Sequence, residues 1–207
     1  MSTNDKKPEL SQEEQLALAE YDRLIARYVP PHKLKSRRVT TVDISRVIAD
    51  GQDLLAMCSL PRGIYKGIMA LAHPQIDDKD PFRFFVLPNG LLVINPLIFN
   101  HTKVAVFKEE GCMTFPDKPQ KTMLPRYHKI TVKYQTLAQD KDTGEAKLSP
   151  FTTEELSGTN SEVMQHECGH LNGHYIYDEE FDPKWSIGLG DGLPLAPDTW
   201  DNEVIKE

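Results

Sequence analysis

The chain of 207 residues holds only three cysteines, Cys58, Cys112 and Cys168. Three cysteines do not make a disulfide framework, so the fold must rest on a core. A reducing cytoplasm is the expected setting, and there a thiol is free to serve as a thiolate ligand. Long apolar runs are also missing. None approaches the roughly 18 residues that span a bilayer, so no membrane span is expected. The first stretch, MSTNDKKPELSQEEQ, lacks an apolar core and carries acids early, which argues against a secretory or transit segment there. Excess positive charge is absent too: 24 Lys and Arg face 31 Asp and Glu, for a net charge of -7. Such a chain is not a polyanion binder as a whole. Its one basic run, HKLKSRR from His32 to Arg38, reads as a solvated loop rather than a nucleic-acid patch.

What is present fits a soluble globular protein, with 39% hydrophobic and 27% charged residues. Ser11-x-x-Glu14 forms a capping box, with Leu18, Tyr21, Ile25 and Tyr28 behind it. That predicts a helix stopped by Pro30-Pro31. A second helix is expected from Asp43 or Ser45 to just before Pro61. From residue 82 the pattern changes. RFFVLPNGLLVINPLIF reads as two strands joined at Pro88-Asn89-Gly90; KVAVF and KITVKYQTL are further strands. DKDTGE reads as a turn, and SGTNSEVMQHECGHLNG returns to helix, with Thr159-x-x-Glu162 as its capping box and Gly173 at its close. Helices, then strands, then one helix predict an α+β fold.

The last helix carries His166-Glu167-Cys168-Gly169-His170. Positions four apart share one helix face, so both imidazoles can reach one ion, with Glu167 beside them. Two histidines need a third ligand. One metalloprotease pattern continues with Gly and then His, but here Gly173 is followed by Ile176, and His174 comes two residues too early. A glutamate from a later helix lacks a platform, because no convincing helix follows Gly173. Upstream, Cys112 ends a strand-like run in EEGCMTF. A thiolate with two imidazoles binds a divalent ion and leaves a position open for water. A lone cysteine is more often a small buried hydrophobe, and taken alone Cys112 is read that way.

Together these residues resemble peptide deformylase. The family carries Gly-x-Gly-Leu-Ala-Ala-x-Gln, then Glu-Gly-Cys-Leu-Ser, then Gln-His-Glu-x-Asp-His. Here the third reads Gln165 to His170, the second Glu110-Gly111-Cys112-Met113-Thr114, and the first, weakest, Ile68 to Gln75. INP at 94–96 and PRY at 125–127 also fall where the family has similar segments. The resemblance covers about residues 45 to 175.

The resemblance implies a mostly antiparallel sheet around a central motif helix. It also implies removal of the formyl group from N-formylmethionyl nascent peptides, releasing formate. Cys112, His166 and His170 would hold one divalent ion, typically ferrous iron, with nickel, cobalt or zinc as substitutes. Glu167 would be the acid–base group, while the Gln75 amide and the Met113 backbone N–H would steady the oxyanion. Met69, Ala70, Glu162 and Val163 would line the substrate pocket. The alternatives are a deformylase-like metal-binding protein with another substrate or no turnover, or another metal amidase or peptidase. The expected layout is an N-terminal extension (1–42), a catalytic domain (43–177) and an acidic tail (178–207), acting as a monomer. The tail has two lysines against nine acids from Tyr175 onward, so docking on nucleic acid is not expected.

Four positions depart from the family pattern. Gly169 stands where an aspartate is usual. Ala70 replaces a glycine that lies beside the substrate, and a shift using Gly67 could make room for its methyl. His73 replaces an alanine next to Gln75 and is expected to be exposed in a loop. Glu162 lies one turn before His166. It either faces the pocket, where a carboxylate would favour a basic side chain, or caps the helix pointing outward.

Overall fold

The computed structural model describes residues 11–60 and 68–189. Gly67, weighed above, and residues 190–207 of the expected acidic tail lie outside them. The first helix, α1 (Gln12–Ile25), begins at the Ser11 capping box, where Ser11 Oγ accepts from the Glu14 N–H and Glu14 returns to the Ser11 N–H. It ends at Ala26, short of the prolines. Its buried residue is Leu24, whereas the expected Leu18 is 49% exposed. The helix meets the body mainly through α2 (Ile44–Cys58), so only one edge needs to be apolar. Ion pairs complete that contact. Arg23 and Arg27 bind Asp53, and Arg27 also binds Asp50.

Five strands build the main sheet in the order β1 (Leu71–Ala72), β2 (Phe84–Val86), β3 (Leu92–His101), β6 (Lys129–Gln135), β9 (Thr152–Ser157), every pair antiparallel. A second ribbon pairs β4 (Val104–Glu110) with β5 (Lys121–Tyr127), and a third pairs β7 (Leu137–Gln139) with β8 (Ala146–Leu148). The expected turns at 88–90 and 140–145 fall between β2 and β3 and between β7 and β8.

Pro96 lies inside β3, where it has no N–H for the ladder, and the register shifts between Ile94 and Leu97. Asn95 absorbs the bend at φ 52. Its buried side chain clips Val39 on both sides, accepting from the Val39 N–H and donating to the Val39 carbonyl, and it also donates to Gln135.

The motif helix, α3 (Gly158–Leu171), packs against one face of the sheet. Ala70, Phe85, Val93, Ile98, Val132, Met164, Cys168 and Leu171 form one core cluster there. A second cluster on α2 and the inner strands contains Val47, Leu54, Phe82, Phe84 and Ile94. The N-cap of α3 is Ser157, which makes no side-chain cap bond, so the Thr159–Glu162 capping box does not form. The chain enters this helix through Gly158 at φ 57, which starts it ahead of Thr159. Gly173 closes it at φ 80, and a Cβ there would come within 2.5 Å of the Lys33 carbonyl oxygen.

The run from His32 to Arg38 is the largely exposed loop expected of it, but it is pinned at several points. His32 bonds the Pro74 and Asp77 carbonyls, Lys33 pairs with Asp178, and Arg37 pairs with Asp43 and Asp80. Arg83 is 1% exposed and ties three places together, donating to the Pro96 carbonyl, Asn172 Oδ1 and the Gly188 carbonyl. No helix among the described residues is long and apolar enough to cross a membrane.

Candidate metal centre

Two elements converge on the site. α3 supplies His166 and His170 from one face, as four-residue spacing requires. The loop between β4 and β5 supplies Cys112. Gln165 locks the two together: its Oε1 accepts from the Tyr127 N–H at 2.8 Å and its Nε2 donates to the Tyr127 carbonyl at 2.9 Å. Ser161 Oγ donates to the same carbonyl. The β4–β5 ribbon is thereby pinned to the helix, and its loop is brought over the histidines.

The candidate ligand atoms of Cys112, His166 and His170 lie within 4.8 Å of one another. Cys112 Sγ is 3.3 Å from His170 Nε2, and the two Nε2 atoms are 3.0 Å apart. One thiolate and two imidazoles on that scale fit a divalent ion with bonds of about 2.0–2.3 Å. Burial alone would raise the Cys112 thiol, but His170 and His166 outweigh it and hold it well below its usual range. Cys168, by contrast, faces the core, and burial pushes its thiol up to about 12. The structure therefore separates the cysteine of the candidate ligand cluster from a cysteine that packs in the core. Ile176, in the place of a possible third histidine, packs against Cys112 and Leu124. His174 instead stacks on Trp185 at 4.3 Å.

A chain of charges stands behind His166. Its Nδ1 is 2.9 Å from Glu110 Oε2, and Arg126 Nε donates to Glu110 Oε1 at 3.0 Å. Burial would raise the Glu110 carboxyl, but the His166 hydrogen bond and the Arg126 guanidinium outweigh it and hold it at about 2. Burial would likewise lower the His166 imidazole, but Cys112 and Glu110 push it well up. A carboxylate on Nδ1 fixes the ring and leaves Nε2 toward the ligand position. The sequence pattern contains Glu110 and Arg126, yet periodicity assigns them no role; only the fold brings β4 and β5 to the back of His166. His170 is oriented differently. Its buried Nδ1 has no partner among the described residues, and its ring lies 5.0 Å from that of Tyr175.

Glu167 is 4% exposed, and its Oε2 is buried without a partner among the described residues. Burial raises its carboxyl, against the pull of His166 and His170. Gln75 is also buried. Its Oε1 accepts from the Ala72 N–H at 2.8 Å, and its Nε2 donates to Thr114 Oγ1 at 3.1 Å, beside the Cys112 loop. Met113 is half-buried and packs against the second core cluster.

The expected pocket residues separate. Ala70 and Val163 share the α3 core cluster, whereas Met69 is 55% exposed. Glu162 is half-buried. Burial and the nearby Glu110 charge raise its carboxyl, and Arg126 and His166 oppose them. With no capping box, its carboxylate senses the metal-site side of α3. His73 overturns its expectation: it is 0% exposed, 3.0 Å from Asp50 Oδ2, and its ring lies 5.1 and 4.9 Å from those of Phe82 and Phe84. A histidine between two aromatic rings with a carboxylate at its tip can be buried, and local sequence does not reveal those partners.

Comparison with known proteins agrees with the site. The sequence model described as Polypeptide deformylase matches residues 35–184. A peptide deformylase of Thermotoga neapolitana is 37% identical over 117 residues, 55% of this chain and 62% of that protein. One from Streptococcus pneumoniae is 30% identical over 146 residues, 62% of this chain and 65% of that protein. The chain thus spans just under two thirds of the length of these curated relatives. The crystal structure of peptide deformylase from Thermus thermophilus is similar at TM-score 0.50 and 28% identity, covering 75% of this chain and 87% of that one. That of Ehrlichia chaffeensis peptide deformylase, in complex with actinonin, reaches TM-score 0.55 at 22% identity, covering 77% and 92%, which speaks for the fold alone. With a family match over most of its length, and the cysteine and both histidines gathered at one point, this chain belongs to the polypeptide deformylase family.

Proposed function

We propose that this chain is a metal-dependent deformylase that hydrolyses N-formylmethionyl peptides to formate and a free N-terminal methionine. The observation that carries the proposal is Glu167. It is a buried carboxyl with an unpartnered oxygen, next to a clustered thiolate–imidazole ligand set. Ferrous iron is the proposed ion, with nickel, cobalt or zinc as substitutes; one soft and two borderline donors suit all four. A divalent ion held by Cys112, His166 and His170 would acidify a water and place positive charge beside the formyl carbonyl.

The remaining steps belong to side chains and backbone. Glu167 accepts the proton of the attacking water and returns one to the leaving amine, so the C–N bond breaks to give a neutral amine. Its raised carboxyl suits a group that must hold a proton between those steps. The Gln75 Nε2 group has a second hydrogen that no described residue takes, and no described residue takes the Met113 N–H. Both are donors for the developing oxyanion, and losing one such donor costs about a hundredfold or more in rate. Glu110 and Arg126 keep His166 fixed throughout.

Ala70, Val163, Met69 and Glu162 are the proposed contacts to the substrate's first side chain. Glu162 argues for a first residue other than unmodified methionine being tolerated, a basic side chain above all. The protein is proposed to act as a monomer on nascent peptides, without a nucleic-acid contact through its acidic tail.

Formate release from a formyl-Met peptide, measured on iron- or nickel-loaded protein, tests the reading. Release is expected; its absence at full metal occupancy would sink the proposal. A Glu167→Gln variant should keep its metal and lose turnover, and retained turnover would remove Glu167 from the mechanism.

A further inference from the structure

Gln75 sits in a single 3-10 turn, His73–Gln75, closed by one backbone bond from the Ile76 N–H to the His73 carbonyl. So short a turn has poor hydrogen-bond geometry and cannot hold a side chain by itself. Beyond the bond from its side chain to Thr114, its stiffness comes from two directions.

From one side comes the His73 ring. Its Nδ1 accepts from the Phe82 N–H at 2.9 Å, which leaves the hydrogen on Nε2 to reach Asp50 Oδ2 at 3.0 Å. Asp50 is fixed in turn by Arg27 at 2.7 Å and by Arg46 at 3.3 Å. From the other side comes the segment before residue 35. The Val29 N–H donates to the Gln75 carbonyl at 3.0 Å. The His32 ring accepts from the Leu34 N–H on Nδ1, so its Nε2 hydrogen is directed at the Pro74 and Asp77 carbonyls, at 2.9 and 3.1 Å. The backbone of His32 is itself held by the Tyr175 hydroxyl, which accepts from its N–H and donates to its carbonyl. Tyr175 lies against the His170 ring. One residue of the N-terminal segment thus connects the Gln75 turn to a metal-ligand ring.

We infer that His73 and His32 are positioning residues for Gln75, a two-sided clamp that aims its carboxamide, and that residues 27–32 belong to the working site through this clamp. The inference rests on the oxyanion role proposed above for Gln75. The everyday alternative is that both histidines are ordinary packing residues. Packing does not require one three-residue turn to be anchored both through its own His73 ring and by the His32 ring from the N-terminal segment, each with its tautomer set by a backbone N–H.

The test is a pair of double-mutant cycles on metal-loaded protein. His32→Ala removes one arm. His73→Gln keeps a donor for Asp50 but loses the ring, and it stands in should His32→Ala fail to fold. Misplacing a donor costs part of what deleting it does, so each variant should lower kcat about tenfold with KM changed less than about twofold. In a Gln75→Ala background the same substitutions should change kcat less than about twofold. An equal loss in both backgrounds would overturn the clamp and leave a structural role. A second readout does not depend on turnover: the Gln75 side-chain amide in zinc-loaded, nitrogen-15-labelled protein. Its hydrogen exchange should speed up about tenfold or more in His32→Ala, and unchanged exchange would also overturn the clamp. If wild-type protein releases no formate, the proposed activity fails by itself and the exchange measurement still decides the inference.

Discussion

Replacing Gly169 by alanine should stabilise the fold and leave the metal site intact. Gly169 lies in the last turn of α3 between Cys168 and His170, where glycine weakens a helix by up to about 1 kcal/mol against alanine. A Cβ built there meets only the His174 carbonyl oxygen, at 3.7 Å, which is ordinary contact. The bonds that the Gly169 carbonyl accepts, from Asn172 and His174, use the backbone and survive. No compensating strain is therefore visible, and the helix term should appear nearly whole. For a chain of this size about 1 kcal/mol corresponds to a Tm rise of about 2–4 °C. The assay is thermal unfolding of chelator-treated and metal-loaded protein, with metal content measured in parallel. Gly173→Ala is the contrast, since its Cβ would strike the Lys33 carbonyl in a left-handed backbone, and it should lower Tm instead. A fall in Tm or in bound metal for Gly169→Ala would refute the reasoning and mark the glycine as one the site requires.

Three further outcomes follow from the same structure. Glu110→Gln removes the charge that orients His166 and should weaken metal affinity about 10–100-fold, read by chelator competition, with little change in helix content. Asp43 is held at about 2, chiefly by its hydrogen bonds from Arg37 and against burial, from an ordinary 3.8. Its folded value is depressed, so its contribution is complete above about pH 4 and is lost as pH falls toward 2. Unscreened, the difference would be worth about 2 kcal/mol. Arg37 is 43% exposed, so about 1 kcal/mol should remain. Denaturant titrations should show wild type and Asp43→Asn converging over that pH window, and a constant gap would contradict the assignment. Glu162→Ile should raise kcat/KM on formyl-methionyl peptides relative to peptides with a formylated basic first residue; an unchanged ratio would place Glu162 outside the pocket.

Much of the frame was legible in the residues. The capping box at Ser11, the glycine that closes α3, the hairpin at Pro88-Asn89-Gly90 and the two histidines on one face are all local rules, and each reappears in space. What escaped was non-local. β9, TTEELS, is polar and mostly exposed at a sheet edge, so it carries no hydrophobic alternation to betray it. β5 contains Pro125 and reads poorly as a strand, yet β4 pairs with it along its whole length. Helix starts depend on the single residue that leaves helical geometry, which is why Ser157 and Gly158 displaced Thr159.

The sequence by itself determined the candidate metal-ligand set. His166, Glu167 and His170 are fixed relative to one another by helix geometry, and a thiolate donor was available upstream at Cys112. Tertiary structure decided which cysteine joins the two histidines, because the Tyr127–Gln165 bonds lay the β4–β5 loop over the helix while Cys168 turns into the core. It also decided that His73 is buried, that Glu110 stands behind His166, and that the N-terminal segment grips the Gln75 turn. These contacts join residues 23 to 56 positions apart. Side-chain periodicity carries information over a turn or two, and beyond that only the folded chain says which groups meet.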